Sequence, residues 1–208
     1  MNLTGKRDYF EKIYNPVGII LYKFHFPPNL ITFLSLLIGS TSALAYYNGN
    51  LLSAMLLLII SGLLDLSDGV VARLSGKTTK FGAVFDWIAD KWVDGLVLGI
   101  VGYFYANPFW AILAIVTSML HSFIKPVVYA EIGYKVKVKG KIKDPLENIG
   151  FFGRPETHIF LVIFTILEKL NAPVGLGYGI KLITLLTIFS LLQRLIYLYK
   201  NFGDIYDE

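Results

Sequence analysis

The sequence predicts an all-α integral membrane protein: a bundle of six transmembrane helices preceded by an amphipathic helix in the membrane interface. The first observation is composition, since 55% of the 208 residues are hydrophobic and the mean hydropathy is +0.59. The second is that the apolar residues fall into six stretches, of which all but the short fifth one are near the roughly 20 residues that a helix needs to cross a bilayer. The third is that basic residues cluster in alternate connections, which is typical of a multi-pass protein.

The elements follow one another with short connections, except for the longer segment 131–155 between the fourth and fifth spans. Residues 8–24 mix aromatic and aliphatic side chains with charged ones, a composition typical of an amphipathic helix at a membrane surface. Pro27 and Pro28 then favour the start of a helix. The six predicted spans are 30–48, 51–72, 82–104, 108–130, 156–170 and 177–199. We expect one domain over 1–208, with the bundle at 29–200, because neither an internal repeat nor a low-complexity linker divides the chain.

The distribution of basic residues predicts the orientation in the membrane. They precede the first span, follow the last, and lie between spans two and three and between spans four and five. Both termini and these loops are therefore expected to face the cytoplasm in a cell membrane. The loop 135–144, with lysine at alternate positions, is interpreted as solvated and close to anionic headgroups. The chain has no cysteine, which excludes disulfides and thiolate metal sites.

Four aspartates lie inside otherwise apolar sequence, in spans two and three: Asp65, Asp68, Asp86 and Asp90. A carboxylate in a spanning helix costs roughly 2.5–3.5 kcal/mol, so it is retained where it faces a polar cavity, pairs with a cation or binds a metal. Within each pair the residues are three or four apart, hence on one helix face. The connection 74–81 is short, so we expect antiparallel neighbouring helices whose acids converge near the cytoplasmic end.

Spacing alone leaves three interpretations of these acids open. Carboxylates suit Mg²⁺ or Mn²⁺, which are commonly bound together with substrate phosphates. Intramembrane acids also serve ion or proton transport. Finally, the acids could form purely structural ion pairs with Arg73, Lys77, Lys80 or Lys91. Metal-assisted phosphate chemistry is favoured because Gly69 and Gly82 allow close approach of a ligand and Arg73 is suited to bind a phosphate.

Eight residues from Asp65 to Asp90 form the pattern D-x2-D-G-x2-A-R-x8-G-x3-D-x3-D. This pattern resembles the signature of the CDP-alcohol phosphotransferases at every fixed position and gap. The resemblance implies a membrane enzyme that transfers a phosphatidyl or archaetidyl group from a CDP-lipid to an alcohol and releases CMP. It implies Mg²⁺ or Mn²⁺ bound by Asp65, Asp68, Asp86 and Asp90, with Asp90 also acting as general base. The CDP-lipid is implied to contact Asn29, Thr32, Asp65, Asp68, Gly69, Ala72, Arg73, Thr79 and Gly82.

The residues after Asp90, K-W-V-D, place Asp94 one helical turn further along. This resembles the branch of phosphatidylinositol phosphate and archaetidylinositol phosphate synthases, whose members bind the acceptor's phosphate with basic side chains. The implied residues here are Lys125, Arg154 and Arg194. A phosphorylated polyol, inositol phosphate, is then the expected acceptor. Glycerol phosphate is the alternative because it would satisfy the same charges.

The sequence also allows predictions about polar residues outside the signature and about the partners of the protein. Arg194 lies amid apolar sequence and therefore needs a polar partner. The three histidines, His25, His121 and His158, are scattered and are interpreted as packing or interfacial residues. The resemblance implies a homodimer, and both ester- and ether-linked lipid donors are compatible with generic apolar contacts. Membrane lipids are expected partners, and no nucleic-acid partner is expected.

Overall fold

The structure, a computed structural model, describes residues 7–132, 137–138, 141–142, 146 and 149–203. Within these residues the chain forms seven α-helices and one hairpin of two-residue strands. The helices are α1 (Arg7–Lys23), α2 (Pro28–Tyr47), α3 (Leu51–Leu74), α4 (Lys80–Tyr105), α5 (Pro108–Glu131), α6 (Arg154–Lys169) and α7 (Leu176–Phe202). The strands are β1 (Lys137–Val138) and β2 (Lys141–Ile142). Each predicted span corresponds to one helix from α2 to α7.

Four of the helices are long and apolar enough to cross a membrane: α2, α3, α5 and α7. The other two predicted spans, α4 and α6, are not both long and apolar enough, and the sequence gives the physical reason for each. Helix α4 carries Asp86, Asp90, Lys91 and Asp94, so its polar face lowers its hydropathy. Helix α6 has only 16 residues, which gives a length of about 24 Å.

The local sequence defines where the helices begin. Helix α2 begins at Pro28 and α5 at Pro108, a position where the missing amide hydrogen costs nothing. The Asn107 side chain accepts a hydrogen bond from the Trp110 amide at 3.2 Å. The Thr79 hydroxyl accepts one from the Gly82 amide at 2.9 Å and so caps α4. Such caps satisfy amide groups that the helix itself leaves without partners.

Helix α2 is central to the bundle and packs against both α3 and α4. Small polar residues make close approach possible: Ser35 and Ser61 each donate to the other's carbonyl at 2.9 Å. The Tyr46 hydroxyl lies 2.7 Å from the Thr165 hydroxyl and links α2 to α6. Most large apolar side chains outside this core are exposed on the outer surface. This distribution is typical of helices that pack through small residues and face lipid with large ones.

Gly39 of α2 is closely packed against α3 and α4. A Cβ atom added there would be 2.6 Å from both γ-carbons of Val93 and 2.7 Å from the Ser61 hydroxyl. We expect Gly39→Ala to destabilise the protein by about 1–3 kcal/mol, because the added methyl overpacks a rigid contact. The matched control is Gly62→Ala, where the nearest atom would lie 3.7 Å away. Thermal unfolding in detergent should show a lower midpoint for Gly39→Ala only; equal midpoints would contradict the packing.

The hairpin departs from the all-α expectation for the lysine-rich loop 135–144. Lys137 pairs with Ile142 and Val138 with Lys141 in antiparallel register. Alternation of lysine with valine or isoleucine has the two-residue period of a strand, which explains the pairing. The remainder of this loop lies outside the described residues.

Candidate active site

Three aspartates converge where the C-terminal part of α3 meets the N-terminal part of α4. One carboxylate oxygen from each of Asp65, Asp86 and Asp90 lies within 4.8 Å of the others. The expected convergence of acids from the two helices is therefore confirmed for three of the four. Helix α2 packs against both α3 and α4.

Asp68 lies outside this group of three carboxylates. Its side chain is buried and accepts a hydrogen bond from the Thr32 hydroxyl, which links α3 to the start of α2. It remains within electrostatic reach of Asp86 and Asp65. Asp68 and Thr32 therefore connect the acid cluster to the entrance of α2, where a nucleotide contact is expected.

Arg154, the first residue of α6, reaches into the acid cluster. Its Nη1 atom lies 2.7 Å from Asp65 Oδ2 and 2.7 Å from Asp90 Oδ1. The helix start that carries it is capped, since the Gly153 amide donates to Glu156 Oε2 at 2.9 Å. The contact with Asp65 is a hydrogen bond, whereas the contact with Asp90 is an ion pair without hydrogen-bond geometry. Arg154 thus partly offsets the charge of two acids on different helices.

Asp90 Oδ1 is buried and makes no hydrogen bond to any described residue. A buried oxygen of this kind is costly unless a further partner satisfies it. It belongs to a cluster of three carboxylates that faces Arg154, a single cation, on one side. Hard divalent cations bind oxygen ligands of this type. The residues present therefore fit a divalent metal ion.

Asp94, one turn beyond Asp90 on α4, is 4% exposed and is surrounded by cationic groups. Its Oδ2 atom accepts from Lys91 Nζ at 2.8 Å. Its Oδ1 atom accepts from Arg154 Nε at 3.2 Å and lies 3.1 Å from His158 Nε2. The interpretation of His158 as a packing or interfacial residue was wrong. In the sequence, the K-W-V-D continuation after Asp90 was the only feature that pointed to further polar contacts at Asp94.

A narrow polar cavity adjoins these residues between α4, α5, α6 and α7. Its charged and ring-bearing lining residues are Lys91, Asp94, His121 and Arg154. The cavity is also lined by side chains with hydroxyl groups, among them Ser118, Thr157 and Thr187. The cavity therefore presents several hydrogen-bond donors beside the acid cluster.

Arg194 and Lys125 do not line this cavity directly. Arg194 is 3% exposed, and it donates from Nε to the Ile149 carbonyl at 3.1 Å and from Nη1 to the His121 carbonyl at 2.7 Å. The expected polar partners of Arg194 are thus present, and the contact with Ile149 holds the segment that leads into α6. Lys91, Lys125 and Arg194 all lie within electrostatic reach of His121. His121, interpreted as packing or interfacial, is buried and lies 3.0 Å from Ser190 Oγ through Nε2, which agrees with a packing role.

The residues expected to contact a nucleotide lie at the starts of α2 and α4 and in the C-terminal part of α3. A Cβ atom at Gly82 would lie 3.0 Å from Asn29 Oδ1 and from Thr79 Oγ1. At Gly69 the nearest atom to such a Cβ would be Arg73 Nη1 at 3.5 Å. Ala72 is half-buried and Arg73 is exposed on the last turns of α3. Gly69 and Arg73 therefore lie beside each other on α3, and Gly82 lies beside Asn29 and Thr79.

A match to a known protein family shows to which family this chain belongs. The model of the family described as CDP-alcohol phosphatidyltransferase matches residues 25–197, which include the acid cluster, Arg154 and Arg194. The chain belongs to the CDP-alcohol phosphatidyltransferase family. It is accordingly a transferase, and with its four apolar helices a membrane protein.

Individual members of the family are similar over most of this CDP-alcohol phosphatidyltransferase. A phosphatidylinositol phosphate synthase of Corynebacterium glutamicum is 28% identical over 97% of this chain and 90% of its own length. An archaetidylinositol phosphate synthase of Methanothermobacter thermautotrophicus is 25% identical over 84% of each chain. Among solved structures, the Mycobacterium tuberculosis phosphatidylinositol phosphate synthase with CDP-DAG bound has a TM-score of 0.74. That match is 24% identical, covers 95% of this chain and 98% of that one, and establishes the shared fold.

Proposed function

We propose that this transferase moves a phosphatidyl or archaetidyl group from a CDP-lipid to inositol phosphate and releases CMP. The observation that carries the proposal is the adjacency of three clustered carboxylates and a cavity lined by Lys91 and Arg154. Acids of this kind suit a metal-bound diphosphate, and the cations suit an anionic acceptor. The names of the relatives in Corynebacterium and Methanothermobacter support the same acceptor.

We assign the metal site to Asp65, Asp86 and Asp90, with Asp68 as the fourth acid on the strength of the signature. A bound Mg²⁺ or Mn²⁺ ion would offset charge on the donor's pyrophosphate and on the departing CMP. Asp68 accepts a hydrogen bond from the Thr32 hydroxyl and lies within electrostatic reach of Asp86. It is therefore close to the proposed metal ligands.

Asp90 is the proposed general base. It takes the proton of the acceptor hydroxyl, whose oxygen forms a bond to the donor's β-phosphorus. The phosphoanhydride bond to the α-phosphate breaks, and CMP leaves with that bond's electron pair. The position of Asp90 supports this role, since its Oδ1 atom has no hydrogen bond to a described residue and lies 2.7 Å from Arg154 of the cavity.

The nucleotide is proposed to bind beside the acid cluster, at the starts of α2 and α4 and the C-terminal part of α3. The residues that would contact the CDP-lipid are Asn29, Thr32, Asp65, Asp68, Gly69, Ala72, Arg73, Thr79 and Gly82. Gly82 lies close to Asn29 and Thr79, since a Cβ atom there would be 3.0 Å from an oxygen of each side chain, which brings three of these residues together. Arg73, exposed at the end of α3, is suited to bind a phosphate oxygen.

The acceptor's phosphate is proposed to bind to the cations on the other side of Asp90. Arg154 lines the cavity directly. His121 also lines the cavity, and Lys125 and Arg194 lie within electrostatic reach of His121. These two residues therefore add positive charge near the cavity.

In the membrane, we propose one domain over 1–208 with six spans, so that α4 and α6 cross the bilayer beside the four more apolar helices. The packing of α1 against α3, where Gly18 meets Val70, supports an interfacial helix fixed to the bundle. By the distribution of basic residues, the termini and the active site face the cytoplasm. We further propose a homodimer, as the family resemblance implies.

The proposal is tested by measuring CMP release from purified protein supplied with CDP-diacylglycerol or CDP-archaeol and a panel of acceptors. Inositol phosphate, glycerol phosphate, serine and free inositol distinguish the alternatives. We expect release with inositol phosphate and none with free inositol, because only the former carries a phosphate for the cations. Release with glycerol phosphate alone would reassign the acceptor. Failure with every acceptor, together with ion flux in liposomes, would contradict the transferase chemistry at this site.

A further inference from the structure

Asp94 is an acidic residue of α4 that lies beyond the family signature. It is 4% exposed, and both carboxylate oxygens are engaged. Oδ2 binds Lys91, and Oδ1 binds both Arg154 and His158, at distances between 2.8 and 3.2 Å. A single buried carboxylate therefore holds cationic or ring nitrogen groups from two helices.

The surroundings of Asp94 differ from those of the acids proposed to bind metal. Asp94 shares a helix face with Asp86 and Asp90, since these residues are spaced four apart. It is nevertheless outside the group of three carboxylates whose oxygens lie within 4.8 Å of one another. Because its oxygens face nitrogen donors, Asp94 is suited to orient those donors instead of binding a cation directly.

The orientation of Arg154 follows from this contact. Its Nε atom is held at Asp94, while Nη1 points to Asp65 and Asp90. A guanidinium group is planar and rigid, so two anchors fix the direction of its remaining hydrogen-bond donors. The same carboxylate holds Lys91 Nζ at 2.8 Å. Both cations line the cavity proposed for the acceptor.

We infer that Asp94 is a positioning residue, which orients Lys91 and Arg154 so that together they bind the acceptor's phosphate. This inference rests on the proposed function of the cavity. A displaced cation weakens acceptor binding without touching the donor site, and small displacements of positioned groups cost up to about 100-fold in rate.

The test is the kinetics of Asp94→Asn, with the acceptor that the wild-type protein uses. An asparagine keeps one oxygen acceptor but turns an amide group towards a cation. We expect the acceptor KM to rise about 10- to 100-fold, with the donor KM and the Mn²⁺ affinity within about twofold of wild type. The control is Glu168→Gln, which removes a carboxylate that accepts from the Leu176 amide at 2.7 Å at the other end of α6. Its KM values should match wild type.

A pair of variants at His158 keeps the inference testable where Asp94→Asn does not fold. His158→Gln retains an N–H donor near the position of Nε2 and should keep the acceptor KM near wild type. His158→Leu removes the donor and should raise that KM. Equal acceptor KM values for wild type and both Asp94→Asn and His158→Leu would overturn the inference, as would a loss of Mn²⁺ affinity in Asp94→Asn. If the wild-type protein releases no CMP, it is the proposed function that fails.

Discussion

Replacing Asp90 with asparagine is expected to reduce CMP release by about 10²- to 10⁴-fold, the range that general acid–base groups contribute. Asparagine has nearly the same shape but cannot take the proton of the acceptor hydroxyl. The measurement is turnover at saturating Mn²⁺, CDP-lipid and acceptor, so that weaker metal binding does not account for the loss. Donor binding, followed as thermal stabilisation by CDP-lipid, should be largely retained.

The control for Asp90→Asn is Glu168→Gln, which makes the same chemical change in the same chain but far from the acid cluster. Its turnover should equal that of the wild type. Normal turnover by Asp90→Asn would contradict the assignment of the general base, whereas loss of both turnover and fold would show that Asp90 stabilises the bundle.

Replacing Arg154 is expected to have the second large effect, because this side chain contacts Asp65, Asp90 and Asp94. Arg154→Ala leaves these acids facing one another, and breaking a buried ion pair costs roughly 3–5 kcal/mol. We expect a value near the lower limit, about 3 kcal/mol, since the Arg154 side chain is 23% exposed. The acceptor KM should rise at the same time, because the cavity loses a cation that lines it.

The measurement for Arg154→Ala is thermal unfolding with and without Mn²⁺. A cation bound by the folded state stabilises it, and here it would replace part of the lost positive charge. Mn²⁺ should therefore raise the unfolding midpoint of Arg154→Ala more than that of the wild type. Arg154→Lys keeps the charge but lacks the planar fork, so its acceptor KM should lie between the two. Equal stabilisation of all three proteins by Mn²⁺ would contradict a shared site for Arg154 and the metal.

Much of the fold followed from the sequence because apolar length and turn residues act locally. The predicted spans at 51–72 and 82–104 correspond closely to α3 (Leu51–Leu74) and α4 (Lys80–Tyr105). The three acids of the cluster were also identified, since their spacing places them on defined helix faces. Hydropathy and loop length did not reveal that α2 packs against both α3 and α4.

The network around Asp94 could not be predicted in the same way. It depends on the register of α6 against α4, and the partners Asp94 and His158 are 64 positions apart in the chain. Arg154 was expected to bind the acceptor's phosphate, and its additional contacts with Asp65 and Asp90 required the same tertiary information. Likewise, the sequence showed that Arg194 needs a polar partner, but not that backbone carbonyls at Ile149 and His121 would supply it.

The central claim is that Asp65, Asp86 and Asp90 together bind a divalent cation. It is tested most directly by titrating purified protein with Mn²⁺ and measuring the free ion by electron paramagnetic resonance. Wild-type protein should bind Mn²⁺ saturably, and Asp86→Asn should bind at least about tenfold more weakly, since even outer-sphere partners of a metal contribute 10- to 100-fold. Equal affinities of wild type, Asp86→Asn and the control Glu168→Gln would contradict the claim.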